Sequence, residues 1–194
     1  MTAGFERAKG GGAVISLSGF EADLLRSLES QLVELLRNEV AVPHDGADPL
    51  EAMFDFTGPT TTPEDPVLAR LFPSAYPEDE EAAGEFRRFT EGSLRDSKAR
   101  NAALVIDQLE ESGLPPLLEE DDTWVDVELD AGSAHAWLRS LTDVRLALAT
   151  RLEIEDGDGD RWAQLDPDDP RSHVHDIYEW LGFLQETLVR ALGG

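Results

Sequence analysis

The residues best suited to binding chemistry form a run of cationic side chains on one predicted helix. They are Arg87, Arg88, Arg95, Lys98 and Arg100, five of the 16 Lys and Arg residues in the chain. Such side chains neutralise phosphate groups or meet acidic protein surfaces, so we expect this segment to form a nucleic-acid or partner patch. The alternative interpretation is a solvated helix face that offsets the acidity of the rest of the chain.

Two further arginines border an apolar helical stripe and therefore need partners. Arg145 and Arg151 lie near the two margins of the stripe that runs from Trp137 to Leu152. A half-buried guanidinium forms a salt bridge with a neighbouring helix, extends to the surface, or lines an anion pocket. The functional hypothesis is an anion-binding or partner-binding pocket between helices, and the structural alternative is a salt bridge.

Two segments resemble metal sites, and neither has suitable spacing. The acidic turn at 156–160 alternates Asp with Gly as a calcium loop does, but Arg161 stands where that loop needs Gly and Pro167 where it needs Glu. His173 and His175 are two residues apart, so on a helix they point about 200° away from each other. We predict no bound metal.

The chain shows no local catalytic signature. It contains no P-loop, no dinucleotide fingerprint, no nucleophile elbow and no HExxH motif. It also contains no cysteine, which excludes thiol nucleophiles, disulfides and cysteine-ligated zinc. We therefore predict a non-enzymatic protein without catalytic residues or cofactor; a site assembled from scattered acids with His44 or His135 is the alternative.

The charge balance limits the class of partner. The 41 Asp and Glu residues against 16 Lys and Arg give a formal net charge of −25. This field repels phosphate backbones and anionic membranes, so we expect protein partners with basic surfaces, and DNA contact only weakly or within a complex. Acidity that merely maintains solubility is the alternative. No stretch approaches the roughly 20 apolar residues of a membrane span, and we predict a cytoplasmic protein.

Helical periodicity dominates the elements that must position these side chains. Apolar residues recur at helical spacing over about 18–42, 77–112, 132–154 and 171–192. A short helix is also expected to begin at Thr62, an N-cap that precedes Pro63. Between Arg95 and Asn101 the apolar pattern lapses, which indicates either a kink near Gly92 or a part of the helix that stands clear of the core.

Strand signals are confined to two places. A hairpin is expected from 5–9 and 13–17 around three glycines, and a strand at 124–130 alternates apolar with acidic residues. Arg7 and Lys9 are expected to pair across strands with those acids. The fold class is therefore mostly α: a bundle of four to five helices with a small antiparallel sheet. We expect one domain over 1–194, with loops at 43–62 and 113–123.

Four strings of the sequence resemble an actinobacterial family that was long catalogued as a domain of unknown function. They are TGPTTTPEDPVLARLFPSAY, EFRRFTEGSLRDSKARNA, LRSLTDVRLALATRLEIE and IYEWLGFLQETLV, and the likeness runs from Phe5 to the carboxyl terminus. The family has since been named for transcriptional regulation in oxidative stress. The resemblance implies a protein that acts with an alternative sigma factor and controls cysteine-biosynthesis genes.

This chain departs from that pattern because it has no thiol. A regulatory disulfide needs two cysteines, so regulation here would be constitutive, driven by partner abundance, or triggered by another ligand. The leading hypothesis is a transcription-associated stress-response regulator that contacts a sigma factor or another RNA polymerase component. The alternatives are a small-molecule or anion-binding protein or enzyme with an arginine-lined pocket, and an adaptor that forms a homodimer through a helix face containing Phe183.

Overall fold

The computed structural model describes residues 3–38, 59–117, 123–155, 157–166 and 168–193. The predicted end of the first helix near residue 42 lies outside these ranges. So do the larger part of the predicted 43–62 loop, the middle of the 113–123 loop and the acidic residue at 156.

The described residues form mostly helices with a small sheet, as predicted. The four long helices are α1 (Gly19–Asn38), α3 (Glu80–Glu111), α4 (Ala131–Leu152) and α6 (Pro170–Gly193), and the two short ones are α2 (Pro66–Leu71) and α5 (Gly159–Ala163). The strands are β1 (Glu6–Arg7), β2 (Ala13–Ser18) and β3 (Trp124–Leu129). None of these helices is apolar over a length that could cross a bilayer.

The sheet is antiparallel, with β2 between β1 and β3. One face is dry, because Val125, Val127 and Leu129 of β3 are buried beside Ile15 and Leu17 of β2. This alternation of buried and exposed residues is the one that the sequence predicts. The N-terminal hairpin and the strand near 124–130 are thus confirmed.

The expected charge pairing within the sheet is wrong, because β2 separates the two outer strands. Arg7 lies opposite Ala13, which lies opposite Leu129, so Arg7 shares its row with no acidic residue. The neighbouring row instead aligns Glu6 and Glu128 on either side of Val14. The sheet is therefore held together by the backbone hydrogen bonds between its strands and by its buried apolar face.

The core is built around α4, which packs against α1, α2, α3 and α6. Trp137 of α4 is fully buried, meets Phe5 edge to face at 5.9 Å between ring centroids, and donates from Nε1 to Oε1 of Gln108 at 2.7 Å. Burying an aromatic side chain together with a satisfied indole N–H is strongly stabilising. The hairpin, α3 and α4 are therefore joined at one point of the core.

The helix starts follow the capping rules, with one correction. Ser18 and Glu21 form the predicted capping box of α1, since the Ser18 amide donates to Glu21 Oε2 at 2.9 Å and the Glu21 amide to Ser18 Oγ at 3.3 Å. The cap predicted at Thr62 is wrong. Asp65 caps the short helix instead, accepting from the Val67 amide at 2.7 Å, and proline follows it as well. Because both sites have the cap-proline pattern, only tertiary contacts decide between them.

Candidate functional site

The predicted cationic patch is divided between the interior and the surface. Arg87 and Arg95 are buried, with 6% and 8% of their surface exposed, and Lys98 is half-buried. Arg88 and Arg100 are exposed. The expected five-residue surface does not exist as such, because helical spacing turns three of its members toward the protein.

Glu91 accounts for the burial of the two arginines. Its carboxylate has 2% of its surface exposed and accepts from Arg87 Nη1 and from Arg95 Nη2, each at 2.6 Å. The three residues are spaced four apart on α3, so they lie above one another on the same helix face. We call Arg87, Glu91 and Arg95 the ion cluster. Its three side chains are charged where an apolar face is expected.

Both arginines of the ion cluster also donate to carbonyls at the carboxyl ends of two other helices. Arg87 donates from both terminal nitrogens to the carbonyl of Phe72, the C-cap residue of α2, at 3.1 Å. Arg95 donates to the carbonyl of Leu36, near the end of α1, at 3.1 Å and lies 4.7 Å from the Phe72 ring centroid. Helix C-termini expose unpaired carbonyls and partial negative charge. The ion cluster therefore joins the amino-terminal half of α3 to α1 and α2.

The lapse in apolar periodicity has a different cause from the two that were predicted. The helix α3 runs without interruption from Glu80 to Glu111 through Gly92, so the expected break there is wrong. The segment does not stand clear of the protein either, because its inward face is polar yet buried. Arginine and glutamate replace leucine on that face.

A second buried polar cluster lies where α1, α3 and α4 meet. Lys98 Nζ lies 2.6 Å from Asp143 Oδ1, and Ser140 donates to Glu29 Oε2 at 2.6 Å. Glu29 is fully buried, and its Oε1 has no hydrogen-bond partner among the described atoms. Burial and the nearby Asp143 charge raise the pKa of Glu29 to about 8, although the Ser140 hydrogen bond opposes this. Burial likewise raises the pKa of Asp143 against its contact with Lys98.

Because the pKa of Glu29 is raised, the folded protein binds a proton at this carboxyl more tightly than the unfolded chain does. At neutral pH this carboxyl is neutral in the folded protein and ionised in the unfolded chain. Its protonation therefore stabilises the fold fully below the ordinary glutamate pKa of 4.5. This contribution is lost as the pH rises toward about 8.

The two stripe-margin arginines face different neighbours and do not form one pocket. The Arg145 guanidinium packs on α6, 4.4 Å from the centroid of the Tyr178 ring, and donates to Gln185 Oε1 at 2.8 Å. Its Nε is buried with no partner among the described atoms. A Cβ at Gly182 would lie 3.2 Å from this guanidinium, so the glycine leaves room for the arginine. Arg145 thus packs between α4 and α6.

Arg151 faces the other side of α4, where it pairs with the cap of α2. Its Nη2 lies 2.8 Å from Asp65 Oδ2. Burial acts to raise the pKa of Asp65, but the hydrogen bonds from Arg151 and from the Val67 and Leu68 amides lower it. The salt-bridge alternative therefore describes Arg151. It also borders a groove of about 370 Å³ between α1 and α4, whose wall includes Leu28, Leu32, Leu35, Val144 and Leu148.

The histidines of α6 make aromatic contacts. His175 stacks on Trp162 of α5, with 4.6 Å between ring centroids and 9° between planes, while His173 is exposed. Within the described ranges no three His, Asp or Glu side chains converge as metal ligands would. The arrangement of His175 therefore fixes α5 against α6.

Sequence reasoning missed the two buried glutamates, although each left a signal. Glu29 is flanked by Leu25 and Leu32 on the same apolar stripe of α1, and Glu91 lies midway between two arginines on α3. A lone acid on an apolar stripe and an acid four residues from two arginines both mark groups that need internal partners. Neither glutamate was singled out, because acids are abundant everywhere in this chain.

These features define an acidic helical protein in which buried ionic groups hold helices together. Its sequence also matches a known family. The model for the family described as domain of unknown function, DUF2017, matches residues 1–192, so the chain belongs to that family. The resemblance drawn from the four sequence strings is thereby confirmed.

The curated relatives of the chain are mycobacterial regulators. The chain is 32% identical over 189 residues to the AosR protein of Mycobacterium leprae, which covers 89% of this chain and 78% of the relative. It is 30% identical over 196 residues to proteins of Mycobacterium tuberculosis and Mycobacterium bovis that are each named oxidative stress regulator AosR, covering 92% of this chain and 81% of the relative. No solved structure matches the chain.

Proposed function

We propose that this chain is a non-enzymatic regulator of the oxidative stress response that acts on transcription through contacts with other proteins. The observation that carries the proposal is its similarity, over about nine-tenths of its length, to relatives named oxidative stress regulators. A sigma factor or another component of RNA polymerase is the proposed partner.

The positions of the cationic side chains support regulation through protein contacts and not through direct binding to DNA. Arg87, Arg95 and Lys98 are engaged inside the fold, and Arg151 is paired with Asp65. These cations are engaged with the acids Glu91, Asp143 and Asp65, so the exterior keeps a strongly negative balance. Direct affinity for duplex DNA scales with the phosphates that a protein neutralises, so contact with DNA is proposed only within a complex. A direct nucleic-acid contact through Arg88 and Arg100 remains a hypothesis.

The absence of cysteine in this chain shapes the mechanism. An oxidant cannot act on it through a thiol, so its regulation would be constitutive, driven by partner abundance, or triggered by another ligand. No thiol of this chain then makes its binding to the partner depend on the redox conditions. This distinguishes it from a regulator that switches by forming its own disulfide.

The proposal is tested genetically in the source organism. Transcripts are sequenced from the native strain, a deletion strain and a complemented strain, before and after hydrogen peroxide, with cysteine-biosynthesis genes as the focus. We expect the deletion to change a defined set of stress transcripts and complementation to restore it. Unchanged transcripts under both conditions would overturn the proposal.

The groove beside Arg151 favours a second candidate, the binding of a small amphipathic molecule. Seven of its ten lining residues are apolar, and Gln31, Glu34 and Arg151 supply polar groups. Because Asp65 already balances Arg151, an anionic ligand would have to displace an ion pair. Thermal unfolding with and without fatty acids of graded length tests this candidate, and an unchanged unfolding temperature across the series would exclude it for that class.

A further inference from the structure

The amino-terminal half of α3 and the turn before it expose large apolar side chains. Tyr76, Phe86, Phe89 and Leu94 have 48%, 45%, 68% and 48% of their surface exposed. They are four of the nine large hydrophobic side chains exposed in the described part of the chain. Such a concentration within 19 residues is unlike the scattered apolar residues of an ordinary surface. We call Tyr76, Phe86 and Phe89 the aromatic ridge; Leu94 projects beside Arg87 on the helix and is not part of it.

The members of the ridge contact one another and their neighbours. The Tyr76 and Phe86 rings meet edge to face with 5.9 Å between centroids. Phe86 and Phe89 are three residues apart on one helix and therefore lie side by side. The guanidinium of Arg88 lies 5.6 Å from the centroid of the Phe89 ring. The ridge is a continuous and preordered surface.

The ion cluster keeps this surface facing outward. Arg87, Glu91 and Arg95 lie on the opposite side of α3 and are tied to the carbonyls of Phe72 and Leu36. Rotating α3 to bury the phenylalanines would expose the cluster and break these bonds. The exposure of the ridge is therefore built into the way the helix is anchored.

The border of the ridge is strongly acidic. Five exposed carboxylates lie at the start of α3 and in the turn before it: Glu78, Asp79, Glu80, Glu81 and Glu85. An apolar centre with a charged rim is the arrangement of a protein interface. The sign of the rim selects the partner.

We propose that the aromatic ridge docks a segment of a protein partner that presents apolar side chains flanked by lysine or arginine. This inference rests on the proposed function and adds to it the surface and the chemistry of the partner. A second copy of this chain fits poorly, because a twofold contact here would place two acidic rims together. An anionic membrane and nucleic acid are repelled by the same rim.

The ridge is tested in solution with two helical 18-residue peptides, one of Leu and Lys and one in which Ser replaces every Leu. We expect the native protein to bind the Leu/Lys peptide at least about tenfold more tightly, since buried aromatic anchors dominate such contacts. The double variant F86A/F89A removes this preference, and the control F183A, which alters an exposed phenylalanine of α6, keeps it. A preference that persists in F86A/F89A overturns the proposal.

The partner's chemistry is tested in cells with a photo-crosslinking amino acid in place of Phe89, and in a control strain in place of Phe183. We expect position 89 to crosslink to a partner segment whose sequence shows apolar residues flanked by Lys or Arg. Crosslinks from position 89 only to a second copy of the chain, or to an acidic segment, overturn the proposed chemistry of the partner. If lysine-directed crosslinks reach a transcription component while position 89 captures none, the docking surface is wrong and the proposed function stands. If neither reaches one, both fail.

Discussion

Replacing Glu91 with glutamine removes the buried carboxylate that accepts from both Arg87 and Arg95. At an effective dielectric of about 20, each ion pair at a separation near 4 Å contributes about 4 kcal/mol. Desolvation of the three ions offsets much of this sum, so the intact cluster is close to neutral for stability. Removing one partner does not recover that desolvation cost. We therefore expect E91Q to lower the free energy of unfolding by about 3 to 5 kcal/mol.

The measurement is urea unfolding followed by circular dichroism at 222 nm, with E186Q as the matched control. Glu186 also pairs with an arginine four residues away, Arg190, but both side chains are more than 60% exposed. We expect E186Q to lie within about 0.5 kcal/mol of the native chain, as exposed pairs do. A loss below about 1 kcal/mol in E91Q would refute the argument that Glu91 holds two buried positive charges.

The remaining predictions concern the second buried acid, the hairpin and the cap of α2. The native Glu29 must take up a proton on folding, and glutamine need not. Between pH 5 and 7.5, E29Q should therefore become more stable relative to the native chain by about 1.4 kcal/mol per pH unit. Urea titrations at several pH values check this, and a pH-independent difference would contradict the raised pKa. G12A should destabilise more than G11A in the same assay, since both have positive φ but only a Cβ at Gly12 would meet the Leu129 carbonyl, at 2.1 Å; equal losses would contradict the clash. D65A should lower the free energy of unfolding by about 0.5 to 2 kcal/mol, whereas D65N, which keeps a capping oxygen, should lower it less. Equal losses would mean that the helix cap is not what Asp65 contributes to stability.

Sequence reasoning located the elements because their signals are local. The capping box of Ser18 and Glu21, the alternation in 124–129 and the stripe beginning at Trp137 each depend on neighbours a few residues away. The fold class and the hairpin could be predicted on that basis. The order of strands could not, because nothing local states that β2 lies between β1 and β3.

The cationic residues show where local reasoning fails. The segment of α3 that holds the predicted cationic patch is rich in charged and polar residues, a composition that is typical of a solvated face. Whether an arginine points outward or inward depends on which carbonyls lie across from it. Arg87 and Arg95 turn inward because the ends of α1 and α2 offer Phe72 and Leu36 carbonyls. Those ends are distant in sequence, so the burial of the ion cluster could only be read from the structure. The same limit applies to Arg145 and Arg151, whose partners lie on α6 and at the start of α2.

The central claim is that this thiol-free chain regulates by contacting the transcription apparatus. Crosslinking with mass spectrometry in intact cells, before and after hydrogen peroxide, tests it without a prior choice of partner. The account predicts crosslinks to a sigma factor or another RNA polymerase component in at least one of the two conditions. The absence of a crosslink to any transcription component under both conditions would contradict it.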